Sequence, residues 1–174
     1  VSIDSKFEFT ANKLVGKDIF LDETSVTATE NALMAAVLAE GRTVITNAAS
    51  EPHVQDLCTM LNMMGAKITG VGSNILYIDG VPSLNGCDFT IGPDFMEIGS
   101  FIGLAAATHG AITITGVNEK QLRPLRVGFS KLGIRWDKDG DRLSVSEDQE
   151  MRVNTDLGGM IPKIDDSPWP GFPP

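Results

Sequence analysis

The feature that most restricts the fold of this chain is that it repeats itself. Sliding the 174-residue sequence along its own length by about 69 residues brings two similar halves into register. Gly41 then falls on Gly110, and residues 42–48 (RTVITNA) lie over residues 111–117 (AITITGV). With a shift one residue shorter, residues 61–69 (LNMMGAKIT) lie over 129–137 (FSKLGIRWD), and residues 72–78 overlay 140–146. Identity between the halves is weak, but the order of segments is the same. A fold built from two copies of one unit is therefore expected.

Each half reads strand, helix, strand, helix, strand, strand. In the first half a strand at 19–21 leads into Thr27-Ala28-Thr29-Glu30, where a Thr followed three residues later by Glu has the spacing of a capping box. The spacing predicts a helix from there to Gly41, since glycine accepts the left-handed conformation that closes helices. The short β-branched run at 43–46 predicts a buried strand. Ser50-Glu51-Pro52 opens a second helix, with proline tolerated in the first turn. Val54, Leu57, Cys58, Leu61 and Met64 then recur at helical spacing as one apolar stripe that ends at Gly65. Residues 67–69 and 75–78 form a hairpin. The second half repeats the scheme: Asp94 to Glu97 starts a helix, Gly110 stops it, Asn118 and Gln121 cap the next, Gly133 stops that one, and a hairpin turns around 138–141.

The first helix of each half, ALMAAVLA and FIGLAAA, is apolar almost all the way round, so burial on every side is expected. The second helices carry a single stripe. The fold class is α/β with helices and sheets segregated as in α+β proteins, built of two βαβαββ repeats in which a sheet covers helices. The expected divisions are an N-terminal extension over 1–13, repeats over 14–84 and 85–148, and a Pro-rich segment over 149–174.

Charge and composition remove several functions. A net charge of -9 with scattered basic residues argues against nucleic acid, and no apolar run has the length of a membrane span. Cys58 and Cys87 lack metal-type spacing and read as thiols of a cytoplasmic protein. No cofactor or metal is expected. The first residue is Val1, no signal-peptide order follows it, and the last ten residues (DDSPWPGFPP) stop without a helix, so a fragment of a longer protein is the simplest expectation.

Strings spread over most of the chain resemble one family. They are residues 25–31 (SVTATEN) through 38–41 (LAEG), 47–52 (NAASEP), 61–68 (LNMMGAKI), 93–101 (PDFMEIGSF) and 168–173 (PWPGFP). Together they resemble the UDP-N-acetylglucosamine enolpyruvyl transferases of bacterial cell-wall synthesis. The resemblance implies two globes, each an inside-out α/β barrel of three such repeats, with the first repeat here matching the last unit of one globe and the second the first unit of the other. It also implies transfer of enolpyruvyl from phosphoenolpyruvate to the 3-hydroxyl of UDP-N-acetylglucosamine, by acid–base addition and elimination. The family's loop cysteine, its early lysine and asparagine, its aspartate after the Pro-rich segment and its late arginine have no counterparts in these 174 residues. The chain alone is therefore expected to be inactive, to bind the nucleotide sugar weakly, to need the full-length parent for phosphoenolpyruvate, and to self-associate through faces left bare. Alternatives are the related transferase acting on a phosphorylated shikimate and a non-catalytic interaction module.

The resemblance implies that Ser25, Val26 and Thr27 contact the nucleotide diphosphate. A helix N-terminus with free amides suits an anion, although Thr27 could equally serve only as a cap. Glu51 matches a cleft glutamate of the family, yet a carboxylate in a first helical turn is also favoured by the helix dipole alone. Asp94 and Glu97 are possible site residues whose spacing also fits a capping box. Four positions depart from the family pattern: Glu23 for lysine, Thr27 for glycine, Ser50 for arginine and Phe95 for arginine. Cys87, after Asn85-Gly86, lacks the surroundings of the reactive cysteine. Cys58 reads as core, His53 and His109 as helix-end residues, and Met60, Met63 and Met64 as packing.

Overall fold

The computed structural model describes residues 10–173, so the outermost part of the expected extension lies outside the described residues. Alternation of buried and exposed side chains sets the strands. In β2 (Arg42–Thr46), Thr43 and Ile45 turn inward, and in β4 (Ile75–Asp79), Leu76 and Ile78 do the same. One face of the sheet is therefore apolar and the other faces water, the usual pattern of a one-sided sheet.

The chain divides into two compact units, Val1–Ala48 with Leu57–Asp88, and Ala49–Asp56 with Phe89–Pro174. The first has a four-stranded sheet in the order β1-β2-β4-β3, with β1 at Asp18–Phe20 and β3 at Lys67–Thr69. β1 runs parallel to β2 (Ile19 beside Ile45), and the other pairs are antiparallel. Helix α1 (Val26–Ala36) makes the crossover between the parallel strands. Leu33, Ile45, Leu76 and Ile78 are fully buried in this core, together with Cys58 and Leu61 of α2 (Pro52–Met63). Burial of each such side chain contributes about 1.5–3 kcal/mol. Leu57 and Met64 pack partly buried against the same cluster, so four of the five residues of the expected stripe lie there, and Val54 is buried in the second unit.

In the second unit, α3 (Phe95–Ala107) and α4 (Glu119–Ser130) flank a three-stranded antiparallel sheet, β5-β7-β6 (Ile112–Ile114, Arg142–Val145, Asp137–Asp139). Ile102, Leu122, Leu125 and Leu143 are its fully buried centre. Gly99 lets α4 approach α3, since a β-carbon there would stand 2.9 Å from Leu125 Cδ2.

Four local expectations are corrected. The second half was expected to begin on a strand, but no strand lies between Asp79 and Phe95. There the Gly92 amide donates to Asp56 Oδ2 at 2.9 Å, and Pro93 has no amide to give to a ladder. Helix α1 is capped by Ser25 rather than Thr27, because Ser25 has the extended backbone (φ -93, ψ 126) that an N-cap needs. The α-helix stops at Ala36, before Gly41, where residues 37–39 turn and Glu40 bridges to Val15. After α3 the left-handed residue is His109 (φ 51), one place before Gly110.

The burial ranking of the helices also differs from expectation. α1 buries Thr29, Leu33 and Ala36, whereas α2 buries Pro52, Val54, Cys58 and Leu61. α4 buries as many positions as α3. The reason is geometric: one face of each first helix packs on its sheet, and no described element covers the opposite face. Met34 is 46% and Leu104 56% exposed.

Candidate functional site

The first group of candidate residues is built by the turn that leads from β1 into α1. The Thr24 hydroxyl donates to Asn47 Oδ1 at 3.0 Å, and Asn47 Nδ2 donates to the Leu21 carbonyl at 2.9 Å. Asn47 itself takes a positive φ of 60, a conformation that asparagine tolerates better than most residues. It thus clamps both ends of the loop. Ser25 Oγ accepts the Ala28 amide at 3.3 Å, and the Ser25 carbonyl accepts the Thr29 hydroxyl at 2.7 Å. Asn31 Nδ2 donates to the Thr27 carbonyl at 2.8 Å.

That arrangement uses the amide of Ala28 but leaves those of Val26 and Thr27 without an acceptor among the described residues. The first turn of α1 carries no acidic side chain. Free amides at the positive end of a helix are a site for an anion. The hydroxyls of Ser25 and Thr27, 3.4 Å apart, border them. The nearby charged residues in sequence, Asp22 and Glu23, are both exposed carboxylates, so no cation in this loop reinforces the helix end.

Glu51, Asp94 and Glu97 belong to the second unit, as Ser25, Val26 and Thr27 belong to the first. Asp94 Oδ1 accepts two amides, from Met96 at 2.8 Å and Glu97 at 3.2 Å, and so caps α3. Glu97 is exposed in the first turn. Glu51 Oε1 accepts the backbone amide of Trp169 at 3.4 Å, while its Oε2 is buried with no partner among the described residues. The Trp169 ring stands edge-on to Phe95, centroids 5.1 Å apart. One aromatic residue from the Pro-rich segment thereby links Glu51 to the start of α3. Sequence reasoning missed Asn47 and Trp169 as organisers of these sites. A lone Asn at a strand end was the only signal for the first.

The thiols are not arranged for chemistry. Burial pushes the Cys58 thiol up to about 11, so it stays protonated at neutral pH. Cys87 is half-buried, with Sγ 3.9 Å from the Met60 carbonyl oxygen. Among the described residues no cluster of His, Cys, Asp or Glu could hold a metal, and no helix is long and apolar enough to cross a membrane.

Two sheets, each with helices packed on one face, define the class as an α/β protein, and the start of α1 leaves two backbone amides free. A family model for EPSP synthase (3-phosphoshikimate 1-carboxyvinyltransferase) matches residues 2–165. The chain belongs to that family. It is 68% identical over its whole length to a UDP-N-acetylglucosamine 1-carboxyvinyltransferase of Treponema denticola and 64% identical to that of Treponema pallidum, covering 41% of each. The chain thus spans about two fifths of the length of these curated relatives. The crystal structure of the enolpyruvyl transferase NikO from Streptomyces tendae superposes with a TM-score of 0.69 at 26% identity, over 79% of this chain and 36% of that one. EPSP synthase from Acinetobacter baumannii shares the fold, with a TM-score of 0.55 at 19% identity over 78% of this chain and 32% of its own.

Proposed function

We propose that this chain is part of a cytoplasmic transferase of peptidoglycan synthesis, which moves enolpyruvyl from phosphoenolpyruvate to the 3-hydroxyl of UDP-N-acetylglucosamine and releases phosphate. The observation that carries this reading is the 68% identity, sustained over all 174 residues, to a relative named for that nucleotide sugar. A shikimate-phosphate enzyme is the other member class of the family, and the 19% identity to a solved EPSP synthase makes it the weaker reading. The two repeats, 14–84 and 85–148, each supply one portion of the larger protein.

In this reading the diphosphate meets the amides of Val26 and Thr27, with the hydroxyls of Ser25 and Thr27 beside it. Glu51, in the second unit, is the family-matched carboxylate there, with Oε1 taken by the Trp169 amide and Oε2 buried. Of the two further candidates, Asp94 is already occupied by its own helix, so Glu97 is the freer carboxylate. A single helix end contributes about 0.3–1 kcal/mol toward an exposed anion. A micromolar ligand needs roughly 8 kcal/mol. The chain alone therefore binds the sugar nucleotide weakly, and phosphoenolpyruvate needs the longer protein. No transfer occurs without a positioned acid and base. The uncovered faces of α1 and α3 favour association of copies of the chain with one another.

Phosphate release from phosphoenolpyruvate and UDP-N-acetylglucosamine, assayed on the purified chain, tests its inactivity when alone, and sustained turnover would overturn that inactivity. Amide shifts on titration with the nucleotide sugar test the substrate assignment. Shifts centred on residues 23–30 are expected, and shifts confined elsewhere would displace the site.

A further inference from the structure

The second unit contains a cavity that the proposed function does not use. It has a volume of about 390 Å³ and lies between α4 and residues 164–172. That size falls within the range of small-molecule sites. Its chemistry runs against that of the chain, which carries a net charge of -9. One wall presents Lys120, Arg123 and Lys131 from α4 and its C-cap, spaced so that they share one face of the helix.

Two of these cations are not consumed by the fold. Lys131 Nζ donates to the Lys163 carbonyl at 2.8 Å, which fixes it at the cavity. The cavity's carboxylate, Asp165, is paired with Lys163 at 2.9 Å. Lys120 and Arg123 have no ion-pair partner among the described residues. Lys120 also stands in the first turn of α4, where the helix dipole disfavours a positive charge. Helix stability does not account for it.

The opposite wall is flat and apolar, formed by Trp169, Pro170 and Phe172. Both rings are held from behind: Trp169 edge-on to Phe95, and Phe172 edge-on to Phe129 with centroids 5.5 Å apart. A pre-set aromatic wall facing two unpaired cations suits a ligand with one flat apolar part and one anionic part. We propose that this cavity binds a small aromatic anion, its ring against Trp169 and Pro170 and its phosphate or carboxylate group between Lys120 and Arg123.

The experiment is an NMR titration of the purified chain with phenyl phosphate, run beside inorganic phosphate, benzyl alcohol, benzoate and a glutamate hexapeptide. The expected result is a saturable shift of the Trp169 indole signal and of the 120–131 amides with phenyl phosphate or benzoate, whichever is tighter naming the anionic group. The buried Trp136 indole should stay still and report an intact fold. Lys120→Glu with Arg123→Glu should weaken binding roughly tenfold or more; should that pair unfold the protein, Lys120→Gln with Arg123→Gln gives the same reading with a smaller loss. The proposal is overturned by any of four outcomes: no shift with either aromatic anion, an equal response to benzyl alcohol or to inorganic phosphate, binding insensitive to the cation variants, or tighter binding of the peptide than of either aromatic anion.

Discussion

Trp169 donates its backbone amide to Glu51 Oε1, a contact between residues 118 positions apart in sequence. The bond is long at 3.4 Å, and the second carboxylate oxygen is buried without a partner. Glu51→Ala removes a weak bond and an unmet desolvation cost together, so the two effects offset. The change in unfolding free energy should stay within about 1 kcal/mol. The Trp169 indole resonance should nevertheless move, because its anchor is gone. A loss of several kcal/mol in urea unfolding would mean that Oε2 has a strong partner after all.

Arg42 and Asp79 face each other directly across β2 and β4, joined by two bonds of 2.7 and 2.9 Å. The hydrogen bond from Arg42 holds the Asp79 carboxyl below its ordinary value, and the same bond raises Arg42. A carboxylate whose folded pKa is lowered stabilises the fold above the unfolded value, and that contribution disappears as pH falls through the folded value. The difference in stability between the wild type and Asp79→Asn should therefore be full at neutral pH and shrink below about pH 4. Because both groups are exposed, high salt should shrink it as well. A difference that persists in acid would assign the effect to packing.

Asp94→Ala should cost about 1 kcal/mol, since two first-turn amides of α3 lose their acceptor. Ser25→Ala should cost less, because its single bond to Ala28 is 3.3 Å long. Urea midpoints of the two variants give the ranking, and the reverse order would contradict the cap geometry.

A thiol reagent at neutral pH should label Cys87 and spare Cys58. Cys58 is 1% exposed and its thiol is pushed up to about 11 by burial, so both access and thiolate fraction are low. Denaturant should expose the second thiol. Rapid labelling of both in the native protein would show that the first core opens locally.

Much of this architecture is legible in the sequence because periodicity and breakers are local signals. The runs at 43–46 and 75–78, the proline at the start of α2 and the Asp94 cap each specify an element without help from distant residues. Three features were not legible, for one physical reason. Whether Ser25 or Thr27 caps α1 depends on backbone angles that the loop clamp at Asn47 imposes. Whether residues 85–94 form a strand depends on Asp56 capturing an amide. The burial of α1 and α3 depends on what covers their outer faces. Each is a tertiary decision, and tertiary contacts outweigh propensities of a few tenths of a kcal/mol. The candidate site divides in the same way: its helix ends could be read, but Trp169 could not, because its partner lies 118 residues away.

The two first helices of this chain differ electrically at their starts. α3 meets a full negative charge from Asp94, whereas α1 meets only the neutral hydroxyl of Ser25. A carboxylate at position 25 would therefore act as a tethered competitor, reaching the amides of Thr27 and Ala28, as Asp94 reaches those of Met96 and Glu97, at a local concentration that no dissolved anion could match. By using serine there, the chain leaves the positive pole of α1 open to a visiting group, and by using aspartate at 94 it closes the pole of α3 to one.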